Sequence, residues 1–107
     1  MTKRVLIICA GGMSSSMIAK QTMDKLVAEG QDVFVEACGT GTGRVRIAEN
    51  NYDLYLISPQ TRMYFKDLKE VAEKAGSKID QIPPQAYVPI PSGINNMVKL
   101  VKKNIDL

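Results

Sequence analysis

The chain has 107 residues, 45% of them hydrophobic and 23% charged, which is material for one domain around one core. Fourteen basic residues against 11 acidic ones leave a formal net charge of +3 without long blocks of either sign, and this argues against nucleic acid or an acidic membrane surface as the main partner. With no histidine and two cysteines 29 positions apart, Cys9 and Cys38, the chain lacks the materials for a zinc site, a histidine general base or a disulfide framework, and no metal or other cofactor is expected.

The opening Met1-Thr2-Lys3-Arg4 leads into the apolar run Val5-Leu6-Ile7-Ile8, too short for a signal peptide and apolar at every position, as in a strand covered on both faces. No segment approaches the ~18 apolar residues of a membrane span, so a soluble, cytoplasmic chain is expected. After Cys9 and the Gly11-Gly12 turn, a helix is predicted from about Ser14 to Glu29, with Ile18, Ala19, Met23, Leu26 and Val27 facing the core and Gly30 as its stop. Val33-Phe34-Val35, within Asp32 to Cys38, gives a second strand. The glycines of Gly39-Thr40-Gly41-Thr42-Gly43 are spaced two apart, unlike the dinucleotide fingerprint, and read as a flexible connection.

A short helix follows from Arg44 to Asn51, with Val45 and Ala48 inward, and Leu54-Tyr55-Leu56-Ile57 is a third strand. Ser58-Pro59-Gln60 breaks it, and Phe65, Leu68, Val71, Ala72 and Ala75 mark a helix from about Thr61, closed by Gly76. Lys78 to Ile82 offers a brief fourth strand. Pro83, Pro84, Pro89 and Pro91 make an irregular loop, after which Ser92 caps a last helix to about Lys103 with Ile94, Met97, Val98, Val101 and Ile105 as its stripe. The alternation implies an α/β fold of three layers: a four-stranded parallel sheet with helices on both faces and a phosphatase-like loop after strand one.

Ligands in such sheets gather at the carboxyl ends of the strands. There Cys9 meets the stretch Ala10-Gly11-Gly12-Met13-Ser14-Ser15-Ser16, a glycine turn leading to hydroxyls at a helix start. Unpaired N–H groups and the positive end of the helix dipole attract an anion and favour the thiolate, so the loop suits a phosphoryl group carried on Cys9. Capping accounts for one of the three serines on its own. Met13, in the loop, is suited either to the core or to docking a partner. Cys38 has no glycine-serine loop beside it and reads as packing.

On Ile7-Ile8-Cys9-Ala10-Gly11-Gly12-Met13-Ser14-Ser15-Ser16, on Leu56-Ile57-Ser58-Pro59-Gln60 and on its length, the chain resembles the lactose/cellobiose type of enzyme IIB component of the sugar phosphotransferase system (PTS). The resemblance implies one α/β domain over residues 1–107, a phosphotransferase whose Cys9 is the phosphorylated residue, with Gly12, Met13, Ser14 and Ser16 as the matching loop. It implies two partners: a IIA protein that donates from a phosphohistidine, and a membrane IIC protein that holds the acceptor oligosaccharide. Ile82-Pro83-Pro84-Gln85-Ala86-Tyr87 departs from the Asp-Ser that follows strand four in some relatives. The competing readings are a cysteine phosphatase-like hydrolase, which needs C-x5-R where this chain has Ser15, and a non-enzymatic regulatory domain of the same fold.

Overall fold

The computed structural model describes residues 2–10 and 13–106, the side chains of Met13 and Ser14 excepted. Its elements run β1 (Lys3–Cys9), α1 (Met13–Ala28), β2 (Val33–Gly39), α2 (Thr40–Glu49), β3 (Leu54–Ile57), a 3-10 segment (Pro59–Tyr64), α3 (Phe65–Ala75), β4 (Ile79–Gln81), a 3-10 turn (Pro84–Ala86) and α4 (Pro91–Asn104). The strands form one sheet in the order β2-β1-β3-β4, and each neighbouring pair is parallel.

Because successive strand residues point to opposite faces, the continuous apolar run of β1 feeds two cores. Val5 and Ile7 lie with Ile18, Leu26, Met97, Val98 and Val101 beneath α1 and α4. Leu6 and Ile8 lie with Ile47, Tyr55, Ile57, Leu68 and Ala72 beneath α2 and α3. The expected four-stranded parallel sheet is therefore present, with helices on both faces, while part of the expected phosphatase-like loop, Gly11 and Gly12, lies outside the described residues. In register, Cys9 stands opposite Gly39 and Ile8 stands between Cys38 and Ile57, so β1 is the strand both neighbours are built on.

Four local expectations are corrected. The glycine-rich stretch after β2 is the first turn of α2, with Gly39 as its N-cap. Its inward residues are Gly43 and Ile47, whereas Val45 is 55% exposed and Ala48 is exposed. The reason is steric: a Cβ on Gly43 would stand 2.7 Å from Ile8 Cγ1, so α2 lies this close to β1 only where a side chain is missing. Val27 is also exposed, since Thr22 takes a place on the buried face of α1 by donating its hydroxyl to the Ile18 carbonyl at 2.7 Å. Third, the predicted helix from Thr61 divides into the 3-10 segment and α3. Fourth, Pro91 rather than Ser92 opens α4, where its missing N–H costs no helical bond and Ile90 is the N-cap.

Candidate functional site

The strand order reverses beside β1, with β2 on one side and β3 on the other, so the crevice at their carboxyl ends is where this topology collects ligands. Cys9 ends β1 at that crevice and is 3% exposed. Its thiol donates to the backbone carbonyl of Cys38 at 3.4 Å, and the Thr40 hydroxyl, in the first turn of α2, donates to the Cys9 carbonyl at 3.3 Å. The junction of β2 and α2 thus braces the cysteine from one side.

The start of the 3-10 segment after β3 braces it from the other. Ser58 N–H donates to the Ile8 carbonyl at 2.9 Å, extending the ladder past β3. The Ser58 and Thr61 hydroxyls, both fully buried, lie 3.0 Å apart, and Thr61 Oγ1 also has the carbonyls of Ser58 at 3.1 Å and Ile8 at 3.4 Å as acceptors. These short polar links fix the backbone immediately before Cys9.

Of the predicted loop, Gly11 and Gly12 lie outside the described residues, as do the side chains of Met13 and Ser14. Ala10 and Ser16 are exposed. Ser15 turns inward and is 3% exposed. The Tyr87 side chain, in the loop after β4, packs on the core beneath α1 and α4. Burial pushes its phenol up to about 12, the nearby Cys9 adds to this, and the Ser15 hydroxyl opposes it. At neutral pH the phenol is an O–H donor.

The second cysteine does not face the first. Cys38 packs against the cluster beneath α2 and α3, whereas the alternation of β1 places Cys9 with Val5 and Ile7 on the other face. Burial first, then the nearby Cys9 and Glu36, push the Cys38 thiol up to about 11, which leaves it protonated and a poor nucleophile. Both cysteines are free thiols.

Sequence reasoning placed Cys9 and Ser15 in one loop at the carboxyl end of the sheet and missed Thr40. Thr40 was hidden by the misread glycine loop. Exposed apolar side chains ring the same end: Met17 on α1, Met63 and Tyr64 after β3, and Val88 and Ile90 after β4. Among the described residues no group of histidine, cysteine, aspartate or glutamate could hold a metal ion, and no helix is long and apolar enough to cross a membrane.

This geometry has counterparts. The family described as "PTS system, Lactose/Cellobiose specific IIB subunit" matches residues 4–103. The lactose-specific EIICB component of the PTS of Lactococcus lactis is 29% identical over 102 residues, covering 95% of this chain and 18% of its own length. The component of the same description from Staphylococcus epidermidis is 28% identical, covering 95% and 17%. The chain therefore spans less than a fifth of the length of these relatives. Among solved structures, the lactose-specific IIB domain of Streptococcus pneumoniae superposes with a TM-score of 0.83 at 22% identity, over 99% of this chain and 100% of that one. The cellobiose-specific IIB protein of Borrelia burgdorferi superposes with a TM-score of 0.69 at 24% identity, over 99% and 91%. At these identities the superpositions establish the fold.

Proposed function

The chain belongs to the lactose/cellobiose-specific IIB family of the phosphotransferase system, and from that premise we propose that it is a cytoplasmic phosphocarrier domain whose Cys9 takes a phosphoryl group from a IIA phosphohistidine and passes it to a sugar held by a membrane IIC protein. The observation that carries this reading is a cysteine fixed at the carboxyl end of the central strand, directly before the segment that opens the 16-residue helix α1. Relatives that join IIC and IIB in one EIICB chain support IIC as the acceptor's holder. The sugar is selected there.

In the first step the Cys9 sulfur attacks phosphorus in line. The S–P bond forms, the P–N bond to the donor imidazole breaks with its electron pair left on that nitrogen, and the proton given up by the thiol is taken, through solvent, by the same nitrogen. In the second, a sugar hydroxyl oxygen attacks phosphorus, the S–P bond breaks, the hydroxyl proton goes to a base on the acceptor side, and the thiolate is restored. Such transfers need position and charge stabilisation more than covalent help, which backbone N–H groups from Ala10 to Ser16 and the hydroxyls of Ser14, Ser15 and Ser16 are suited to supply. The imidazole and the activating base belong to the partners, which is compatible with a chain without histidine.

The apolar rim is the surface we assign to the donor. Met13, the first choice by sequence, has its side chain outside the described residues, so the assignment rests on Met17, Met63, Val88 and Ile90. Met63 is 73% exposed and therefore not core, so Met63→Asp should slow IIA-dependent transfer while leaving the melting temperature unchanged. Incubation with phosphorylated IIA followed by peptide mapping tests the reading itself. The phosphoryl group should appear on the Cys9 peptide, and its absence there would remove the carrier function.

A further inference from the structure

Thr40 has no part in the transfer as described above, yet its hydroxyl crosses from α2 to the carbonyl of the cysteine itself, at 3.3 Å. Capping does not account for that hydroxyl. The N-cap of α2 is Gly39, which makes no side-chain cap bond, and Thr40 follows it as the first helical residue, one place beyond the position whose side chain caps a helix. The register explains its reach. Gly39 stands opposite Cys9 in the parallel pair, so the chain turns into α2 beside the last carbonyl of β1. The same junction holds the other end of the cysteine, since the Cys9 thiol donates to the Cys38 carbonyl at 3.4 Å.

These two bonds fare differently when the sulfur reacts. The thiol bond needs the sulfur's proton, and neither a thiolate nor a phosphorylated sulfur has one to donate, so it is lost on every transfer. The Thr40 bond runs to a backbone carbonyl that the chemistry leaves unchanged, and it is compatible with the thiol, thiolate and phosphoryl states alike. What it holds is the peptide plane between Cys9 and Ala10. Among the described residues no peptide bond is cis, so the C=O and N–H of that plane point in opposite directions, and a carbonyl tied to α2 sends the Ala10 N–H away from α2. That N–H is the first backbone donor after the nucleophile. One residue earlier, the Ile8 carbonyl is tied to the other neighbour, accepting from Ser58 N–H at 2.9 Å. The backbone on either side of the Cys9 Cα is thus anchored, once toward β3 and once toward α2.

Resting on the assignment of Cys9 as the carrier, we propose that Thr40 is a positioning residue of the transfer site, whose hydroxyl holds the peptide between Cys9 and Ala10 so that the Ala10 N–H is set for the phosphoryl group. Thr40→Val keeps the branched shape and removes the hydroxyl, whereas Thr40→Ser keeps the hydroxyl. At saturating phosphorylated IIA, Thr40→Val should phosphorylate Cys9 about fivefold more slowly, the effect of one neutral hydrogen bond, with the half-saturating donor concentration unchanged and Thr40→Ser close to wild type. In protein labelled with carbonyl-13C cysteine, the Cys9 resonance, identified by its absence from Cys9→Ser, should move upfield in Thr40→Val and return in Thr40→Ser. A wild-type rate or an unmoved resonance in folded Thr40→Val would overturn the proposal, as would a loss of rate that Thr40→Ser does not restore. A moved resonance with no phosphorylation of Cys9 in any of these proteins would uphold the hold on the peptide and overturn the carrier reading instead. Should Thr40→Val fail to fold, Thr40→Ala removes the same hydroxyl and is judged by the same outcomes.

Discussion

The thiol of Cys9 and the side chain of Cys38 occupy opposite faces of the sheet, and what Cys38 offers the site is its backbone carbonyl, which any residue supplies. Cys9→Ser should therefore abolish phosphoryl acceptance while Cys38→Ser retains most of it, as measured by label incorporated from phosphorylated IIA. Ser15 carries a second prediction. A cysteine phosphatase has an arginine six residues after its nucleophile, where the guanidinium binds two phosphoryl oxygens, whereas this chain has the buried hydroxyl of Ser15 there. Phospho-Cys9 should accordingly hydrolyse slowly, and Ser15→Arg should shorten its lifetime, measured by mass spectrometry over time in the isolated protein. Cys9 was legible in the sequence because strand, cysteine, glycine turn and serines are contiguous. Thr40 was not, because the glycines on either side of it hid the helix whose first turn carries it.

The helices differ in how openly their sequences state which face is buried. In α4, Ile94, Met97, Val98 and Val101 recur at helical spacing and all are buried, as the pattern predicts. In α2 the inward positions are a glycine and an isoleucine, and glycine has no hydrophobic side chain to register in a periodicity, so the reading settled on Val45 and Ala48 and placed the helix out of phase. The glycine is nonetheless required. Gly43→Val should destabilise the domain by about 2 kcal/mol or more through overpacking against Ile8, lowering its urea midpoint, whereas Gly41→Ala, with open space at its Cβ position, should be neutral or slightly stabilising.

Across the whole molecule, four parallel strands in the order β2-β1-β3-β4 set Cys9 between two neighbours and deliver the connections after three strands to it. The alternation of elements disclosed the parallel sheet, and its strand order required the structure, since a repeated β-α pattern permits several orders. The titration of the whole fold follows from its composition. No histidine titrates between the carboxylates and the thiols, and the groups pushed up by burial are Cys38, from 9.0 to about 11, Tyr52 and Tyr87, from 10.0 to about 12, and Tyr55, raised in the same direction. A raised acid binds its proton more tightly when folded, so its contribution is complete below the unfolded value and is lost as pH rises through the folded one. Unfolding free energy from urea titrations should thus fall from about pH 9 upward to about pH 12, and a rise over that interval would contradict these burials. The central claim is that this chain carries a phosphoryl group between partners rather than releasing it to water. The most direct measurement is a chase of isolated, labelled phospho-Cys9 protein: persistence alone, with rapid loss of label to sugar on adding IIC membranes and their oligosaccharide, is the predicted result. Fast spontaneous release as inorganic phosphate at neutral pH, accompanied by turnover of aryl phosphates, would contradict it.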